Sequence, residues 1–274
     1  MKTVCQVCIH HCNLEPGQRG LCGARENIEG VIQCRNYGQI TSLALDPIEK
    51  KPLRLFYPGR KILSVGSFGC NLKCPFCQNY RISMDRKGEG SVYLSPRELA
   101  EKALACQREE NIGVAFTYNE PLIGWEYVRD TAAFLKKYGM ETVLVTNGMA
   151  SLDILEELLP WVDAMNIDLK GFQQSWYERL GGDLETVKAF IARAAECCHV
   201  ELTTLVVPGE NDTVGEMARE AQWIASVDSE IPLHITRFFP RYHMQDREAT
   251  NVAHIYRLAG IAEKYLKHVY VGNC

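Results

Sequence analysis

From about residue 61 onward, short apolar runs alternate with longer segments in which apolar residues recur at helical spacing. The apolar runs are near-continuous and rich in β-branched residues, which is typical of strands covered on both faces; they comprise residues 62–67, 113–117, 142–146, 164–169, 200–207 and 233–238. The intervening segments predict helices over residues 96–108, 127–138, 152–158, 184–197, 214–224 and 253–266. Six such units predict an α/β fold with a parallel sheet, either a closed or partial barrel or, alternatively, an open doubly wound sheet.

Residues 1–60 lack this alternation and are rich in Cys, His, Gly and Pro. A hairpin is predicted between residues 31–35 and 40–44, with Asn36-Tyr37-Gly38 as its turn. Residues 46–59 hold three prolines and the charged run Glu49-Lys50-Lys51, which predicts an ordered connector. We therefore divide the chain into a Cys-rich N-terminal segment, residues 1–60, and a barrel domain, residues 61–274.

Composition narrows the class of protein. The 274 residues are 46% hydrophobic and 23% charged, which is typical of soluble globular proteins. A net charge of −4 gives no general positive field for nucleic acid, and no run approaches the ~18 apolar residues of a membrane helix. Cys5, Cys8, His10 and His11 stand where a signal peptide would need an apolar core. These features predict a cytoplasmic protein that binds neither nucleic acid nor a membrane.

Twelve cysteines are many for a reducing compartment, where clustered thiols indicate metal or redox chemistry. Cys70, Cys74 and Cys77 follow the first predicted strand with the spacing C-x3-C-x2-C, on a loop flanked by glycines. Three thiolates are one short of the set that completes an ordinary [4Fe–4S] cluster, so one iron would stay open to a small molecule. A zinc ion with an open position is the alternative.

A second group of thiols, Cys5, Cys8, Cys12 and Cys22, lies within a short N-terminal stretch. Four sulfurs can complete either a tetrahedral zinc site or a second iron–sulfur cluster, and His10 or His11 could replace one of them. The stretch has too little apolar content to fold by packing alone, so a bound metal would supply folding free energy. Zinc and iron–sulfur both remain open at this point.

Polar residues follow the next three predicted strands: Thr117-Tyr118-Asn119-Glu120-Pro121, Thr146-Asn147-Gly148 and Asn166-Ile167-Asp168-Leu169-Lys170. The carboxyl ends of parallel strands face one mouth, so these side chains are expected to lie close together. Asp168 and Lys170 are two residues apart and project to the same side of an extended segment. From the residues alone, Asn-Glu-Pro is better explained as a turn with a solvated carboxylate, and the alternative for Asp168 and Lys170 is a local ion pair that closes the barrel mouth.

The C-x3-C-x2-C motif, with Phe76 before its last cysteine and a strand before its first, resembles the signature of the radical S-adenosylmethionine (SAM) superfamily. Within it, the chain resembles the pyruvate formate-lyase activating enzymes, and most of all the branch called the AmmeMemoRadiSam system radical SAM enzymes. The residues that carry this narrower resemblance are Gly17-Gln18-Arg19-Gly20-Leu21-Cys22, Asp46-Pro47-Ile48-Glu49-Lys50-Lys51-Pro52-Leu53, Phe56-Tyr57-Pro58-Gly59 and Cys77-Gln78-Asn79-Tyr80. The resemblance implies a partial (β/α)6 barrel with a small Cys-rich metal-binding segment at its N-terminus.

The resemblance also implies chemistry: a [4Fe–4S] cluster on Cys70, Cys74 and Cys77 that reductively cleaves SAM to methionine and a 5′-deoxyadenosyl radical. Residues 117–121 occupy the place of the superfamily's Gly-Gly-Glu-Pro motif, which receives the SAM amino group; Glu120 and Pro121 are retained, but Tyr118 and Asn119 replace the glycines. The implied SAM-binding residues are Phe76, Asn119, Glu120, Thr146, Asn147, Asp168, Lys170 and His234. A reduced ferredoxin or flavodoxin is the expected electron donor.

The resemblance leaves the substrate open. Characterised relatives in the activating-enzyme group draw hydrogen from a backbone glycine of a partner enzyme, so a protein or peptide substrate ranks slightly above a small molecule. A competing hypothesis from another class is a non-catalytic, zinc-binding adaptor whose cysteines serve structure alone. Colour would separate the two, because a reconstituted iron–sulfur protein is brown and a zinc protein is colourless.

Overall fold

The computed structural model describes every residue from Met1 to Cys274. It contains fourteen strands: β1 (Thr3–Val4), β2 (Asn13–Leu14), β3 (Arg25–Ile28), β4 (Val31–Cys34), β5 (Gln39–Ile40), β6 (Ser42–Pro47), β7 (Lys61–Gly66), β8 (Val92–Tyr93), β9 (Asn111–Phe116), β10 (Glu141–Thr146), β11 (Ala164–Asp168), β12 (His199–Val206), β13 (Leu233–Arg237) and β14 (Val269–Gly272). The α-helices are α1 (Tyr80–Ser83), α2 (Pro96–Ala105), α3 (Trp125–Lys137), α4 (Leu152–Leu158), α5 (Gln174–Leu180), α6 (Leu184–Ala195), α7 (Val214–Asp228) and α8 (Val252–Ala262).

Eight strands form one sheet in the order β14-β13-β12-β11-β10-β9-β7-β6. Strands β7 and β9 to β14 run parallel, and each lies beside the next parallel strand along the chain. Strand β6 extends this sheet at one edge and pairs antiparallel with β7, with Ser42 opposite Gly66. The six predicted strands lie within two residues of those observed, and the predicted helices begin within two residues of α2, α3, α4, α6, α7 and α8.

The sheet curls into a partial barrel, as contacts of the connector after β6 show. Pro52 accepts a hydrogen bond from the Asn166 side chain on β11, and the backbone amide of Arg54 donates to Glu201 on β12. The Arg54 guanidinium also lies 5.5 Å from the ring centroid of Tyr270 on β14. The connector leaves β6 at Pro47, at one edge of the sheet, and seven residues later Arg54 lies beside β14, at the opposite edge. The two edges are thus joined by one short segment, which agrees with a sheet curved into a partial barrel.

Local sequence explains most of the elements. Helix α2 begins at a capping box, in which Ser95 Oγ accepts from the amide of Glu98, and the Glu98 carboxylate accepts from the amide of Ser95. Residues of the parallel strands such as Leu63, Val114, Leu144 and Ile167 are fully or almost fully buried. Both faces of the sheet are therefore covered, which agrees with the continuous apolar runs in the sequence.

The predicted hairpin between residues 31–35 and 40–44 is wrong. Strand β4 pairs instead with the preceding β3, and the turn between them is formed by Glu29 and Gly30, both with positive φ. Two central residues of this kind match the twist of a two-residue hairpin, which makes Glu29-Gly30 the stronger turn signal. The residues that follow join other partners: β5 pairs with β8, and β6 pairs with β7.

Several further elements were not predicted: helices α1 and α5, the short strands β1, β2, β3 and β8, and the seventh parallel strand β14. The domain division at residue 60 falls between β6 and β7, which are paired in the main sheet, and it stays a prediction. No helix has the length and apolar character needed to cross a bilayer.

Candidate functional site

The loop between β7 and α1 carries Cys70, Cys74 and Cys77 at the carboxyl edge of the sheet. Gly69 has φ of 88°, and a Cβ atom there would collide with the carbonyl oxygen of Cys22. Asn119 fixes the start of this loop: its Oδ1 accepts from the amide of Ser67 at 2.9 Å, and its Nδ2 donates to the carbonyls of Phe68 and Gly69 at 3.2 and 3.1 Å. Asn119 therefore positions the cysteine loop.

The three thiols of this loop are buried or partly buried, and none forms a disulfide. Cys70 Sγ accepts from the amide of Leu72 at 3.4 Å and from Asn147 Nδ2 at 3.7 Å. Burial raises the pKa of Cys74 to about 11. Burial, followed by the negative charge of Glu120, raises the pKa of Cys70 well above its ordinary value. A metal that binds here must displace the thiol protons, since the thiolate is the ligand.

The donor set of this loop fits an iron–sulfur cluster. The three thiols influence one another electrostatically, and N–H groups are directed at sulfur, an arrangement that tunes iron–sulfur clusters. The loop supplies no fourth cysteine, so one iron of a [4Fe–4S] cluster would keep an open position.

Glu120 is a buried carboxylate beside this loop, with a relative exposure of 2%. Its Oε1 accepts from Thr146 Oγ1 at 2.6 Å and from the amide of Leu122 at 3.0 Å, and its Oε2 accepts from the amide of Asn147 at 2.8 Å. Burial raises the pKa of Glu120 to about 7, and the charge of Asp168 adds to that shift. A carboxylate offers about four acceptor positions, so three internal donors leave one for a ligand.

Asp168 and Lys170 form an ion pair at the end of β11, with Lys170 Nζ 2.9 Å from Asp168 Oδ2. Burial opposes the positive charge of Lys170, but the neighbouring Asp168 and Cys74 raise its pKa, so the side chain stays cationic. Both groups act electrostatically on the Cys74 thiol, which places the pair beside the cysteine loop.

Trp176 is a site residue that sequence reasoning missed. Its indole Nε1 donates to the carbonyl of Lys170 at 2.8 Å, and its ring stacks on Phe76 with centroids 5.8 Å apart. Both aromatic side chains are buried. Trp176 lies in α5, a helix that was not predicted, and it belongs to no sequence motif that would identify it as a site residue.

The structure gathers seven of the eight predicted SAM-binding residues around the cysteine loop, and His234 is the exception. His234 is the second residue of β13, in the amino-terminal half of the strand, and its Nε2 lies 2.6 Å from Glu201 Oε2. Glu201 also contacts His199 and accepts from the amides of Arg54 and Leu55. Because His234 contacts this buried partner and lies away from the carboxyl edge, it is not part of the proposed SAM site.

Comparison with known proteins adds independent evidence. The sequence profile of the radical SAM superfamily matches residues 64–221. The protein MJ0808 of Methanocaldococcus jannaschii is 36% identical over 283 residues, which cover 99% of this chain and 81% of that protein. Pyruvate formate-lyase 1-activating enzyme of Escherichia coli (strain K12) is 27% identical over 179 residues, covering 61% of this chain and 71% of that enzyme.

Among solved structures, a radical SAM methyltransferase from Sphaerobacter thermophilus superposes with a TM-score of 0.60 at 16% identity. The superposition covers 79% of this chain and 67% of the methyltransferase. At this level of identity the likeness shows the fold alone, and it confirms the predicted partial barrel.

Proposed function

Because the chain belongs to the radical SAM superfamily, we propose that Cys70, Cys74 and Cys77 hold its [4Fe–4S] cluster and that a partner protein supplies the hydrogen atom that is removed. Membership makes the chain an enzyme that works with a [4Fe–4S] cluster and SAM. When bound and reduced, the cluster supplies the electron that splits SAM into methionine and a hydrogen-abstracting 5′-deoxyadenosyl radical. One observation carries the assignment: three thiols, a carboxylate and an Asp–Lys pair converge at one edge of the sheet.

Glu120 is proposed to accept a hydrogen bond from the SAM ammonium group through its remaining acceptor position. Thr146, together with the amide of Asn147, holds the Glu120 carboxylate in place. The Asn147 side chain ties this arrangement to the cysteine loop, since its Nδ2 donates to Asn71 Oδ1 at 2.9 Å. The carboxylate is therefore already oriented before a ligand arrives, which lowers the ordering cost of binding.

Asp168 and Lys170 are proposed to bind the ribose and the carboxylate of SAM. Lys170 uses one N–H on Asp168 Oδ2 and keeps two further donors, whereas Asp168 Oδ1 remains an acceptor for a hydroxyl. Phe76 and Trp176 form an apolar wall beside this pair, which helps to exclude water from a radical.

A gap in the barrel supports a protein substrate. Strands β6 and β14 are the two edges of the sheet and do not pair. The connector crosses the gap between them at the amino-terminal end of the barrel, where Arg54 lies against Tyr270 on β14. Residues 1–35, in contrast, make no hydrogen bond to residues 199–274. A polypeptide loop is therefore proposed to enter at the carboxyl side of this gap.

The segment after β13 lies beside the cysteine loop. The amide of His243 donates to the carbonyl of Pro75 at 2.9 Å, and Tyr242 stacks on Tyr80 with ring centroids 4.6 Å apart. A substrate polypeptide would contact this segment next to the cysteine loop. The resemblance to the activating enzymes supports a backbone glycine as the hydrogen donor. A reduced ferredoxin or flavodoxin is the proposed electron donor.

Isotope transfer tests the substrate class. Cells of the source organism are grown with α-deuterated glycine, and their extract is separated into protein and small-molecule fractions. Each fraction is incubated with reduced enzyme and SAM, with Cys74→Ala as the inactive control. We expect deuterium in 5′-deoxyadenosine with the labelled protein fraction alone. The unlabelled protein fraction should give a glycyl radical doublet by electron paramagnetic resonance (EPR), and this doublet should collapse in the labelled fraction because the remaining α-hydrogen is deuterium. Deuterium-free 5′-deoxyadenosine stimulated by the small-molecule fraction alone would overturn the protein substrate but not the SAM chemistry.

A further inference from the structure

Four cysteines outside the proposed SAM site line one cavity in the N-terminal segment: Cys5, Cys8, Cys12 and Cys22, together with His10 and Arg25. Three of the thiols are less than 9% exposed, and none forms a disulfide. Local backbone bonds bring them together. The amide of Cys5 donates to the carbonyl of Cys12 at 2.9 Å, and the amide of Gly23 donates to the carbonyl of Gly20 at 3.0 Å.

The cavity contains a buried donor with no acceptor. Arg25 is 3% exposed, and its two terminal nitrogens donate to the Glu126 carboxylate at 2.5 and 2.6 Å. Its third nitrogen, Nε, is buried and has no hydrogen-bond partner in the protein. A buried N–H group without a partner is costly and rare in folded proteins. A sulfur anion in the cavity would satisfy it, and the guanidinium would offset the negative charge of four thiolates.

The cavity between the four thiols favours a cluster over a single ion. Zinc would draw four sulfurs to ~2.3 Å from one point. The four cysteines instead line a cavity, which the body of a cluster would occupy. Arg25, which lines the same cavity, has an unpartnered Nε, and a cluster would offer it sulfide as well as thiolate acceptors.

We propose that Cys5, Cys8, Cys12 and Cys22 hold a second iron–sulfur cluster, of the [4Fe–4S] class, with Arg25 Nε donating to its sulfur. Four cysteines complete the ligation, so this cluster has no open iron and does not bind SAM. The proposal depends on residues separate from the SAM site and goes beyond the proposed function.

The segment that carries the proposed second cluster is hydrogen-bonded to the loop of Cys70, Cys74 and Cys77. His10 Nε2 lies 2.8 Å from the carbonyl oxygen of Asn71, which follows Cys70 in the chain. The carbonyl of Cys22 packs against Gly69, which precedes Cys70. The amide of Ser151 also donates to the carbonyl of Val7 at 2.9 Å, which ties the segment to the loop after β10. The second cluster therefore stabilises the position of the cysteine loop in addition to its own segment.

Metal analysis of complementary variants tests the proposal. Wild type, a Cys70→Ala/Cys74→Ala/Cys77→Ala variant and a Cys106→Ala control are reconstituted anaerobically with iron and sulfide and assayed for iron, sulfide and zinc. We expect about eight iron atoms per chain in wild type and in the control, and about four in the triple variant. A triple variant that binds one zinc and no iron, or no metal at all, would overturn the second cluster.

EPR of the reduced wild type gives the same answer without relying on the folding of a variant. Two overlapping signals are expected, one perturbed by SAM and one unaffected by it, because only one cluster has an open iron. A single signal that changes completely on addition of SAM would contradict the proposal.

The role of Arg25 is tested by redox titration of the SAM-insensitive signal. Arg25→Gln removes the donor and its positive charge, so the midpoint potential should become more negative. Glu126→Gln is the matched control, because it breaks the same ion pair but keeps the guanidinium, and the potential should not fall. Equal potentials in wild type and Arg25→Gln would show that Arg25 does not face the cluster.

Discussion

Two buried glutamates at different depths of the barrel carry opposite pKa shifts. At the carboxyl edge, burial raises the pKa of Glu120 to about 7, despite three hydrogen-bond donors. In the amino-terminal half of β12, burial acts in the same direction on Glu201, but hydrogen bonds from His199, His234 and two backbone amides hold its pKa at about 2. Hydrogen bonds thus offset only part of the effect of burial on the pKa of Glu120, whereas they more than offset it for Glu201.

The carboxyl edge, where Glu120 lies, is thus suited to binding a ligand, whereas the amino-terminal end, where Glu201 lies, serves to close the fold. The Glu201 carboxylate accepts hydrogen bonds from two backbone amides of the connector and contacts two histidines. It therefore needs no ligand to complete its hydrogen bonding. Glu120 keeps one acceptor position, and its burial, followed by the charge of Asp168, disfavours the ionised form and raises its pKa. A cationic ligand would correct that imbalance, and shifted pKa values of this kind concentrate at functional sites.

The largest expected effect is at the cysteine loop. Changing Cys70, Cys74 or Cys77 to Ala removes one of only three thiolate ligands, so the SAM-binding cluster and SAM cleavage should both be lost. Iron and sulfide content and 5′-deoxyadenosine formation are measured after anaerobic reconstitution, with Cys106→Ala as the control. Full 5′-deoxyadenosine formation in any one of the three variants would refute the ligand assignment.

Replacement of Glu120 should weaken SAM binding without removing the cluster. Glu120→Ala loses a charge-assisted hydrogen bond, which corresponds to ~1.5–3 kcal/mol, or about one to two decades in the dissociation constant. Anaerobic calorimetry measures that constant, and the iron content serves as the internal control. If the affinity for SAM is unchanged, Glu120 has been misassigned.

The pKa of Glu120 adds a pH dependence to SAM binding. A pKa of about 7, raised from 4.5, means that the carboxyl is protonated in the SAM-free protein below that pH. The ammonium prefers the ionised form, so binding must release a proton there, and affinity should fall by up to about tenfold per pH unit below 7. Glu120→Gln has no such proton, and its SAM affinity should lack this component. Identical pH profiles for the two proteins would contradict the contact.

Replacement of Glu201 should affect stability and leave SAM chemistry intact. Its pKa is lowered from 4.5 to about 2, so ionised Glu201 stabilises the folded chain fully above about pH 4.5, and this contribution is lost as the pH falls toward 2. Glu201→Gln should cost ~1–3 kcal/mol at pH 7, and the difference from wild type should shrink between pH 4.5 and 3. Denaturation midpoints across this pH range measure it. A constant difference would show that the charge of Glu201 is not responsible.

The smallest effect is expected for SAM binding by His234→Gln. His234 contacts Glu201 and does not reach the cysteine loop, so the SAM dissociation constant should stay within about twofold of wild type. The same calorimetric titration checks this. A tenfold loss in a variant with a normal melting temperature would return His234 to the SAM site and weaken the contrast between the two glutamates.

Much of the fold could be predicted because its signals are local. The strand and helix periods of residues 61–266 are properties of neighbouring residues, and the positions of six strands and six helices followed from them. The hairpin at residues 31–44 failed for the same reason, since strand pairing is decided by partners as well as by turns. Strand β6 pairs with β7, although the long connector separates the two strands in the chain.

The candidate site divides in the same way. Spacing within one loop was enough to mark Cys70, Cys74 and Cys77, and positions at strand ends were enough to mark Glu120, Asp168 and Lys170; their roles stay predictions. Trp176 carried no such mark, because its importance comes from packing on Phe76 across about a hundred residues of chain. His234 was placed by its strand alone, and its partner Glu201 lies 33 residues away.

The sequence by itself determined the order of strands and helices, the thiol groups and the carboxyl edge as the place for chemistry, because each depends on residues a few positions apart. Only the tertiary structure decided which charges meet. It turned His234 toward Glu201, left one acceptor position on Glu120, and placed Arg25, whose Nε has no partner, in a cavity lined by four cysteines. Such pairings depend on contacts between residues that are far apart in the chain. Local periodicity carries no information about which distant side chain will lie next to a given residue.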